Sequence, residues 1–181
     1  MSDDIEKIKI GNKLLRLELG DITRVRTDAI VNAANEELKG GGGVDAAIHK
    51  AAGPSLMLEC ERHTGCPTGS ALLTAAGNLP VRHVIHTVGP VWKGGEDGEA
   101  ELLSSAYLSS LELANKHFFN TVAFPSISTG AYGYPKEEAA RIALTTVKNF
   151  LEQRTHLDEV LFVLYDEKTF LAYQQVLSEI Q

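Results

Sequence analysis

Short apolar runs alternate with longer amphipathic stretches along this chain, and no other feature of the sequence limits its fold as strongly. The alternation is typical of a layered α/β domain. Two runs, Ala29-Ile30-Val31 and Val122-Ala123-Phe124, are continuously apolar, as in central strands that are buried on both faces. The predicted strands are Leu14–Leu19, Ala29–Asn32, Ala71–Thr74, His83–Val88, Thr121–Ser126 and Val160–Tyr165.

The amphipathic stretches predict five helices. After Gly43, apolar residues recur with the spacing of one helical face, and Gly53-Pro54 is a stop signal for that helix. Pro135 suits the first position of a later helix, because its missing N–H has no partner there in any case. Together the predicted helices cover 44–52, 54–63, 101–117, 135–150 and 170–180.

Length and charge narrow the class of protein further. A chain of 181 residues suits one domain, spanning 1–181, with a full core. Its formal net charge of -7 opposes broad contact with phosphates, so we expect no nucleic-acid partner. No apolar run approaches the roughly 18 residues that span a bilayer, and Met1–Asp4 is acidic where a secretion signal would be basic. We therefore expect a cytoplasmic protein without a membrane partner.

Cys60, His63 and Cys66 together spell Cys-x2-His-x2-Cys and raise the question of zinc. The segment supplies three ligands, whereas structural zinc almost always has four. We interpret the two cysteines as reduced residues at a helix end and in a loop, and we expect no metal and no redox cofactor.

A predicted strand, Val31-Asn32-Ala33-Ala34-Asn35, leads into four glycines and a helix at Gly40–Asp45. Free N–H groups at a helix start favour anions, and glycine lets a backbone approach a phosphate closely. Such a loop can hold a pyrophosphate without Lys or Arg, which suits an acidic protein. On this segment alone, a merely flexible surface loop is an equal alternative.

The segment Pro125–Pro135 repeats this arrangement of strand, glycine-bearing loop and helix. Two such loops at the ends of parallel strands would face one crevice, where open α/β sheets bind ligands. Established nucleotide motifs do not fit, because the chain has no Gly-x-Gly-x-x-Gly at its first strand–helix turn and no P-loop ending in Gly-Lys-Ser/Thr. A Gly-x-Ser-x-Gly nucleophile elbow is missing as well.

Several segments in order along the chain resemble the macrodomain family, and in particular its MacroD-like branch. They are Asp21-Ile22, Val31 to Asn35, Gly40 to Asp45, His86-Thr87-Val88-Gly89-Pro90 and Ser128 to Gly133. The resemblance extends over roughly Leu14 to Asp166. It implies a three-layer α/β/α sandwich with a mixed central sheet. It also implies ADP-ribose as the ligand, and an enzyme that removes mono-ADP-ribose from acidic side chains, deacetylates O-acetyl-ADP-ribose, or does both.

The resemblance also implies how the ligand would be held. Asp21 and the backbone of Ile22 would bind adenine, while Asn32 and Asn35 would bind the distal ribose. The pyrophosphate would lie between two sets of residues, Gly42, Gly43 and Val44 on one side and Ser128, Thr129, Gly130, Ala131 and Tyr132 on the other. Ala131 stands where the family commonly has a larger aliphatic residue. For Asp21, Asn32, Asn35 and Tyr132, a purely structural role is the alternative.

Asp45 would lie beside the distal ribose and position the attacking water, with Asn32 fixing the sugar. A carboxylate in the first turn of a helix is also favoured for structural reasons. His49 follows Asp45 by one helical turn, and the sequence leaves open whether it tunes Asp45 or only packs. We interpret Asn78, His83 and His86 as structural. The competing hypotheses are a reader that binds ADP-ribose without cleaving it and an RNA-associated regulatory protein.

Overall fold

A computed structural model of the chain describes residues 6–181. Met1–Asp4, on which the expectation of no secretion signal depends, lie outside that range. The strands are β1 (Lys7–Ile10), β2 (Lys13–Leu19), β3 (Ala29–Ala33), β4 (Ala71–Ala75), β5 (His83–Thr87), β6 (Thr121–Phe124) and β7 (Glu159–Leu164). The α-helices are α1 (Gly43–Ala52), α2 (Pro54–Cys60), α3 (Glu99–Lys116), α4 (Lys136–Leu151) and α5 (Glu167–Ile180).

The seven strands form one mixed sheet in the order β1-β2-β7-β6-β3-β5-β4. The five inner strands β2, β7, β6, β3 and β5 run parallel to one another, whereas β1 and β4 pair antiparallel at the two edges. The mixed sheet expected from the family resemblance is confirmed.

Helices cover both faces of the sheet and make three layers. Within β3, Val31 packs in a large core with α3, α4 and α5, while the preceding Ile30 packs in a second core with α1 and α2. Successive residues of a strand point to opposite faces of the sheet. Both side chains are fully buried because helices cover both of these faces. The three-layer α/β/α sandwich is thus confirmed. No helix among residues 6–181 is both long and apolar enough to cross a membrane.

The two central strands β3 and β6 pair only near their amino ends. Ala29 is opposite Val122 and Ile30 is opposite Ala123, but the rest of β3 has no partner in β6. On its other side, β3 stays paired with β5 as far as Ala33. After β3 the chain continues to β4 and β5 on one side of the sheet, and after β6 it continues to β7 on the other side. Open α/β sheets usually form their ligand-binding crevice where two neighbouring strands have connections that diverge in this way.

The sequence prediction fails at a few element boundaries, and each failure has a local cause. Strand β1 was not predicted, because a run as short as Lys7-Ile8-Lys9-Ile10 carries little signal at an edge. Strand β6 ends at Phe124 because Pro125 has no N–H to donate. Helix α3 begins at Glu99, ahead of the predicted start, since the Glu99 carboxylate accepts three loop N–H groups, from Lys93, Gly95 and Asp97.

Candidate functional site

A cavity of about 740 Å³ opens where β3 and β6 separate. Both glycine-bearing loops line it, together with the segments that follow β2 and β7. The structure thus brings together all but one of the residues singled out from the sequence. Those that line the cavity are Asp21, Ile22, Asn35, Gly42, Gly43, Val44, Asp45, Ser128, Thr129, Gly130, Ala131 and Tyr132. The exception is Asn32, which is fully buried and does not line the cavity.

The first loop presents the start of α1 to the cavity. Gly42 precedes the helix and provides no side chain to cap it, so the first N–H groups of the helix are left for a ligand. Gly43 has a φ of 57° and Gly40 a φ of 80°, values that favour glycine. The loop is therefore shaped to place backbone N–H groups, rather than side chains, against an anion.

Asn35 braces this first loop from inside. Its Nδ2 donates to the carbonyl of Gly40 at 2.7 Å, and its Oδ1 accepts from the N–H of Lys39 at 3.2 Å. Asn35 lines the cavity, but both ends of its amide are engaged with the loop backbone. The turn-stabilising role considered for this residue is thus observed, while contact with a ribose stays a prediction.

The second loop turns sharply at Ser128, whose φ of 68° lies in the left-handed region. The carbonyl of Ser128 accepts from the N–H of Tyr134 at 2.9 Å, and that of Gly130 accepts from Gly133 at 3.0 Å. A non-glycine residue held in this conformation costs free energy, and such residues cluster at binding sites. These two hydrogen bonds fold the loop back on itself at the wall of the cavity.

The loop after β5, in which the sequence predicted no site residue, supports the second loop. Gly89, just beyond β5, lines the cavity, and a Cβ at this position would overlap Ser128 Oγ and Ile127 Cγ2. Further along, the N–H of Trp92 donates to the carbonyl of Tyr132 at 2.8 Å. Gly89 belongs to the motif His86 to Pro90, but only the three-dimensional contact explains why a side chain cannot stand there.

Asp21 lines the cavity and lies two residues after the end of β2. Its Oδ1 accepts from the N–H of Thr23 at 2.9 Å and from the Thr23 hydroxyl at 2.7 Å, and so caps the short helix Ile22–Arg24. The hydrogen bond from the Thr23 side chain is the main cause that holds the pKa of Asp21 below its usual range. This carboxylate is therefore ionised at neutral pH and acts as an acceptor only.

Three cavity residues after β7, namely Tyr165, Asp166 and Thr169, were not predicted as part of the site. Tyr165 is 85% exposed and presents its ring at the cavity edge. Asp166 caps α5 by accepting the N–H of Thr169 at 2.8 Å. The sequence did contain a signal for Tyr165 and Asp166, because a residue that follows a parallel strand emerges at the same end of the sheet as the glycine loops.

Asn32 and Asp45 form a buried pair beside the cavity. Asn32 is fully buried, and its Nδ2 donates to Asp45 Oδ1 at 2.7 Å. Asn32 lies two residues after Ile30, so its side chain is on the face that α1 covers, and it reaches Asp45 in the first turn of that helix. In the structure Asn32 therefore contacts Asp45 and does not line the cavity.

His49 lies one helical turn after Asp45, and its Nε2 is 3.4 Å from Asp45 Oδ1. Asp45 as a whole is only 4% exposed. Of the two roles left open for His49, contact with Asp45 is thus observed. Asp45 Oδ2 lies toward Gly41, where a Cβ would come within 3.3 Å of it.

The charges around the cavity are all negative. Its charged lining residues are Asp21, Asp45 and Asp166, and no Lys or Arg lies among the residues that line it. A phosphate in this cavity would have to be held by backbone N–H groups, hydroxyls and the positive end of the α1 dipole. This fits the interpretation that an acidic chain uses amides to bind an anion.

The two cysteines are buried and do not line the cavity. Cys60 and Cys66 pack with Ala34, Leu38 and Val88 in a small apolar cluster, and both are free thiols. Burial is the main cause that raises the pKa of Cys60 to about 11. Within residues 6–181, no three His, Cys, Asp or Glu side chains are grouped so that they could hold a metal ion.

Comparison with known proteins agrees with this geometry. Residues 31–143 match the family described as Macro domain. A Cronobacter turicensis protein named O-acetyl-ADP-ribose deacetylase is 55% identical over 88% of this chain and 93% of its own. The Oceanobacillus iheyensis macrodomain with ADP is 44% identical, with a TM-score of 0.93 over 96% of this chain and 95% of that one. The Trypanosoma brucei macrodomain in complex with ADP-ribose is 43% identical, with a TM-score of 0.86 over 90% of this chain and 68% of that one. The chain belongs to the Macro domain family.

Proposed function

We propose that this protein binds ADP-ribose and hydrolyses an ester between its distal ribose and a carboxyl group. The carboxyl group is acetate in O-acetyl-ADP-ribose, or the side chain of Asp or Glu in a mono-ADP-ribosylated protein. The observation that carries the proposal is the buried Asn32–Asp45 pair, held at 2.7 Å beside a cavity without basic side chains. Three of the most similar proteins named above support it, since their names include ADP-ribose, ADP or the deacetylase activity.

The cavity offers a different kind of contact to each part of ADP-ribose. Adenine would lie near Asp21 and the Ile22 backbone, with the exposed ring of Tyr165 available for stacking. The pyrophosphate would lie between the N–H groups that begin α1 and those of the Ser128–Tyr132 loop. The distal ribose would then reach Asp45, so the reactive ester stands next to the one carboxylate that Asn32 holds in place.

In the proposed reaction, water attacks the acyl carbon of the ester. The bond between that carbon and the ribose oxygen breaks, the ribose oxygen takes a proton, and the products are ADP-ribose and a carboxylic acid. Asp45 positions the water and can accept its proton. Because Asn32 and His49 both contact Oδ1, the carboxylate is held in one orientation, and such pre-organisation lowers the barrier.

A reader that binds ADP-ribose without cleaving it remains the competing hypothesis. A reader would need the cavity and the loops but would gain nothing from a carboxylate fixed by a buried amide. The two hypotheses differ in what they predict for substitutions at the pair.

The decisive experiment compares the wild type with Asn32→Ala and Asp45→Ala on O-acetyl-ADP-ribose and on a protein mono-ADP-ribosylated at Asp or Glu. We expect kcat to fall by about 100-fold or more, as for loss of a group that assists proton transfer, while the Kd for ADP-ribose measured by calorimetry changes only a few-fold. Asp166→Asn, which alters another cavity carboxylate, is the matched control and should keep its kcat. Tight ADP-ribose binding by a wild type that releases no product would establish the reader instead.

A further inference from the structure

His86 is a buried titratable residue that the proposed reaction does not use. It lies in β5 directly opposite Asn32 in β3, and its side chain is fully buried. Its Nδ1 is 3.2 Å from Asn32 Nδ2, and its Nε2 is 2.9 Å from Thr74 Oγ1. The ring therefore links the Asn32–Asp45 pair to a hydroxyl on the edge strand β4.

The direction of each hydrogen bond in this network follows from Asp45, whose carboxylate oxygen accepts. Asn32 Nδ2 donates to Asp45 Oδ1, and because an amide nitrogen has no lone pair to offer, His86 Nδ1 accepts from it and the hydrogen of the neutral ring is on Nε2. Thr74 Oγ1 can accept that hydrogen while its own hydroxyl donates to the carbonyl of Ala75 at 2.9 Å. The ring is neutral, since burial is the main cause that lowers the pKa of His86 to about 3. The titratable groups that face it are Cys60, with Sγ 3.9 Å from Nε2, His49, with its ring centroid 6.4 Å away, and Asp45, which accepts from the same Asn32 Nδ2. The charge of His63 also lowers the pKa of His86.

The Asn32 amide is held in this orientation from two sides. A lone pair on His86 Nδ1 requires an N–H from Asn32, and Asp45 Oδ1 requires the other. Both hydrogens of Asn32 Nδ2 are thus used, while Asn32 Oδ1 is buried without a partner among the described residues. With the amide flipped, an oxygen would face both the Nδ1 lone pair and a carboxylate, and two hydrogen bonds would become repulsions.

We propose that His86 is a positioning residue, which as its neutral Nε2–H tautomer fixes the Asn32 amide so that it donates to Asp45. This inference rests on the proposed function, because its effect on the reaction acts through Asp45. Without the Nδ1 acceptor, Asn32 keeps one of its two partners and its amide gains freedom to turn. The carboxylate would then depend on His49 for its orientation.

Two substitutions at this position separate the lost acceptor from the lost ring. His86→Leu fills the space without offering an acceptor. His86→Asn can place Oδ1 where Nδ1 lies, although it is too short to reach Thr74. For hydrolysis of O-acetyl-ADP-ribose we expect kcat to fall about 10–100-fold in His86→Leu, within the range that a displaced catalytic group loses. Most of this loss should be recovered in His86→Asn, and the Kd for ADP-ribose should stay within about threefold of wild type in both.

The tautomer can also be tested without any substitution. Nitrogen-15 chemical shifts of the imidazole in the wild-type protein should show a protonated Nε2 and an unprotonated Nδ1 for His86 at pH 7. A protonated Nδ1 would overturn the proposal, as would a His86→Leu protein with wild-type kcat or a folded His86→Asn protein as impaired as His86→Leu. A wild type that hydrolyses no ester overturns the proposed function, and the inference that rests on it, even where the tautomer is as stated.

Discussion

Asn32 lies in β3 and Asn35 two residues beyond its end, and their amides contact different groups. Asn35 ties the glycine loop to itself through Gly40 and Lys39. Asn32 donates to Asp45 and His86 from a fully buried position. One carboxylate oxygen of Asp21 accepts two hydrogen bonds from Thr23. At the residue scale, the polar side chains around the cavity mainly hold other protein groups in place, and this leaves contact with a pyrophosphate to the backbone.

The buried imidazole of His86 makes the stability of the protein depend on pH. In the unfolded chain its pKa is near the ordinary 6.5, whereas in the folded protein it is about 3. The unfolded state therefore binds more protons between these values, and stability is lost as the pH falls through that window. From pH 7 to pH 5, we expect this residue to remove about 2 kcal/mol from the free energy of unfolding.

Urea denaturation of the wild type and of His86→Asn at the two pH values measures this effect. All other side chains are the same in both proteins, so their contributions cancel when the two pH dependences are subtracted. Carboxylates such as Asp166, whose pKa is lowered first of all by the backbone N–H of Thr169, matter only at more acidic pH. Equal losses of stability in the two proteins would show that His86 is not buried in its neutral form.

At the scale of elements, the end of β6 depends on two buried tyrosines. The hydroxyl of Tyr107 in α3 accepts from the N–H of Ile127 at 2.9 Å, just before the strained Ser128. The hydroxyl of Tyr173 in α5 donates to Ser126 Oγ at 2.9 Å, and that oxygen also accepts from Thr129 at 2.8 Å. Helices from the layer behind the sheet thus fix the backbone from which the second loop starts.

Tyr107→Phe and Tyr173→Phe are a matched pair of substitutions for this contact. Tyr107→Phe leaves the buried N–H of Ile127 without an acceptor and should lower the free energy of unfolding by about 1–3 kcal/mol. Tyr173→Phe leaves Ser126 with its bond from Thr129 and should cost only about 0.5–1.5 kcal/mol. Chemical denaturation compares the two. Equal losses would mean that the N–H of Ile127 finds another partner.

The helices and strands also show which parts of the fold could be predicted from the sequence alone. Apolar runs and helical periodicity predicted the strands from β2 onward and all five helices, because burial on one or two faces leaves a direct trace in residue order. The two glycine loops could be placed at one crevice, since parallel strands end at the same side of a sheet. The burial of Asn32 could not be predicted in this way, as it depends on how closely α1 packs over β3. The close contact that a Cβ at Gly89 would make with Ser128 could not be predicted either, because Ser128 is distant in the sequence.

At the scale of the whole molecule, the chain carries a formal net charge of -7, and its cavity is lined by carboxylates but by no Lys or Arg. Attraction between opposite full charges therefore cannot be what brings an anionic ligand into the cavity. The partial charges of backbone N–H groups act over short distances and within a partly enclosed space, where salt screens them little.

We accordingly expect the affinity for ADP-ribose to vary only modestly with salt. Calorimetric titrations at about 50 mM and 500 mM sodium chloride should give Kd values within about threefold of each other, because at these ionic strengths the Debye length shortens from about 14 Å to about 4 Å without reaching the contacts themselves. A site held by several Lys or Arg side chains would weaken far more over this range. A steep salt dependence would contradict binding by backbone amides.

The early separation of β3 from β6 also bears on how this fold can be combined with other sequences. The cleft exists because two central strands part after two paired residues, and the edge strands β1 and β4 lie at the far ends of the sheet. Additional chain attached beyond an edge, or inserted in loops at the amino ends of the strands, would leave that parting unchanged. A pocket formed by diverging central strands can therefore stay intact when further segments are added to the domain at the edges of its sheet.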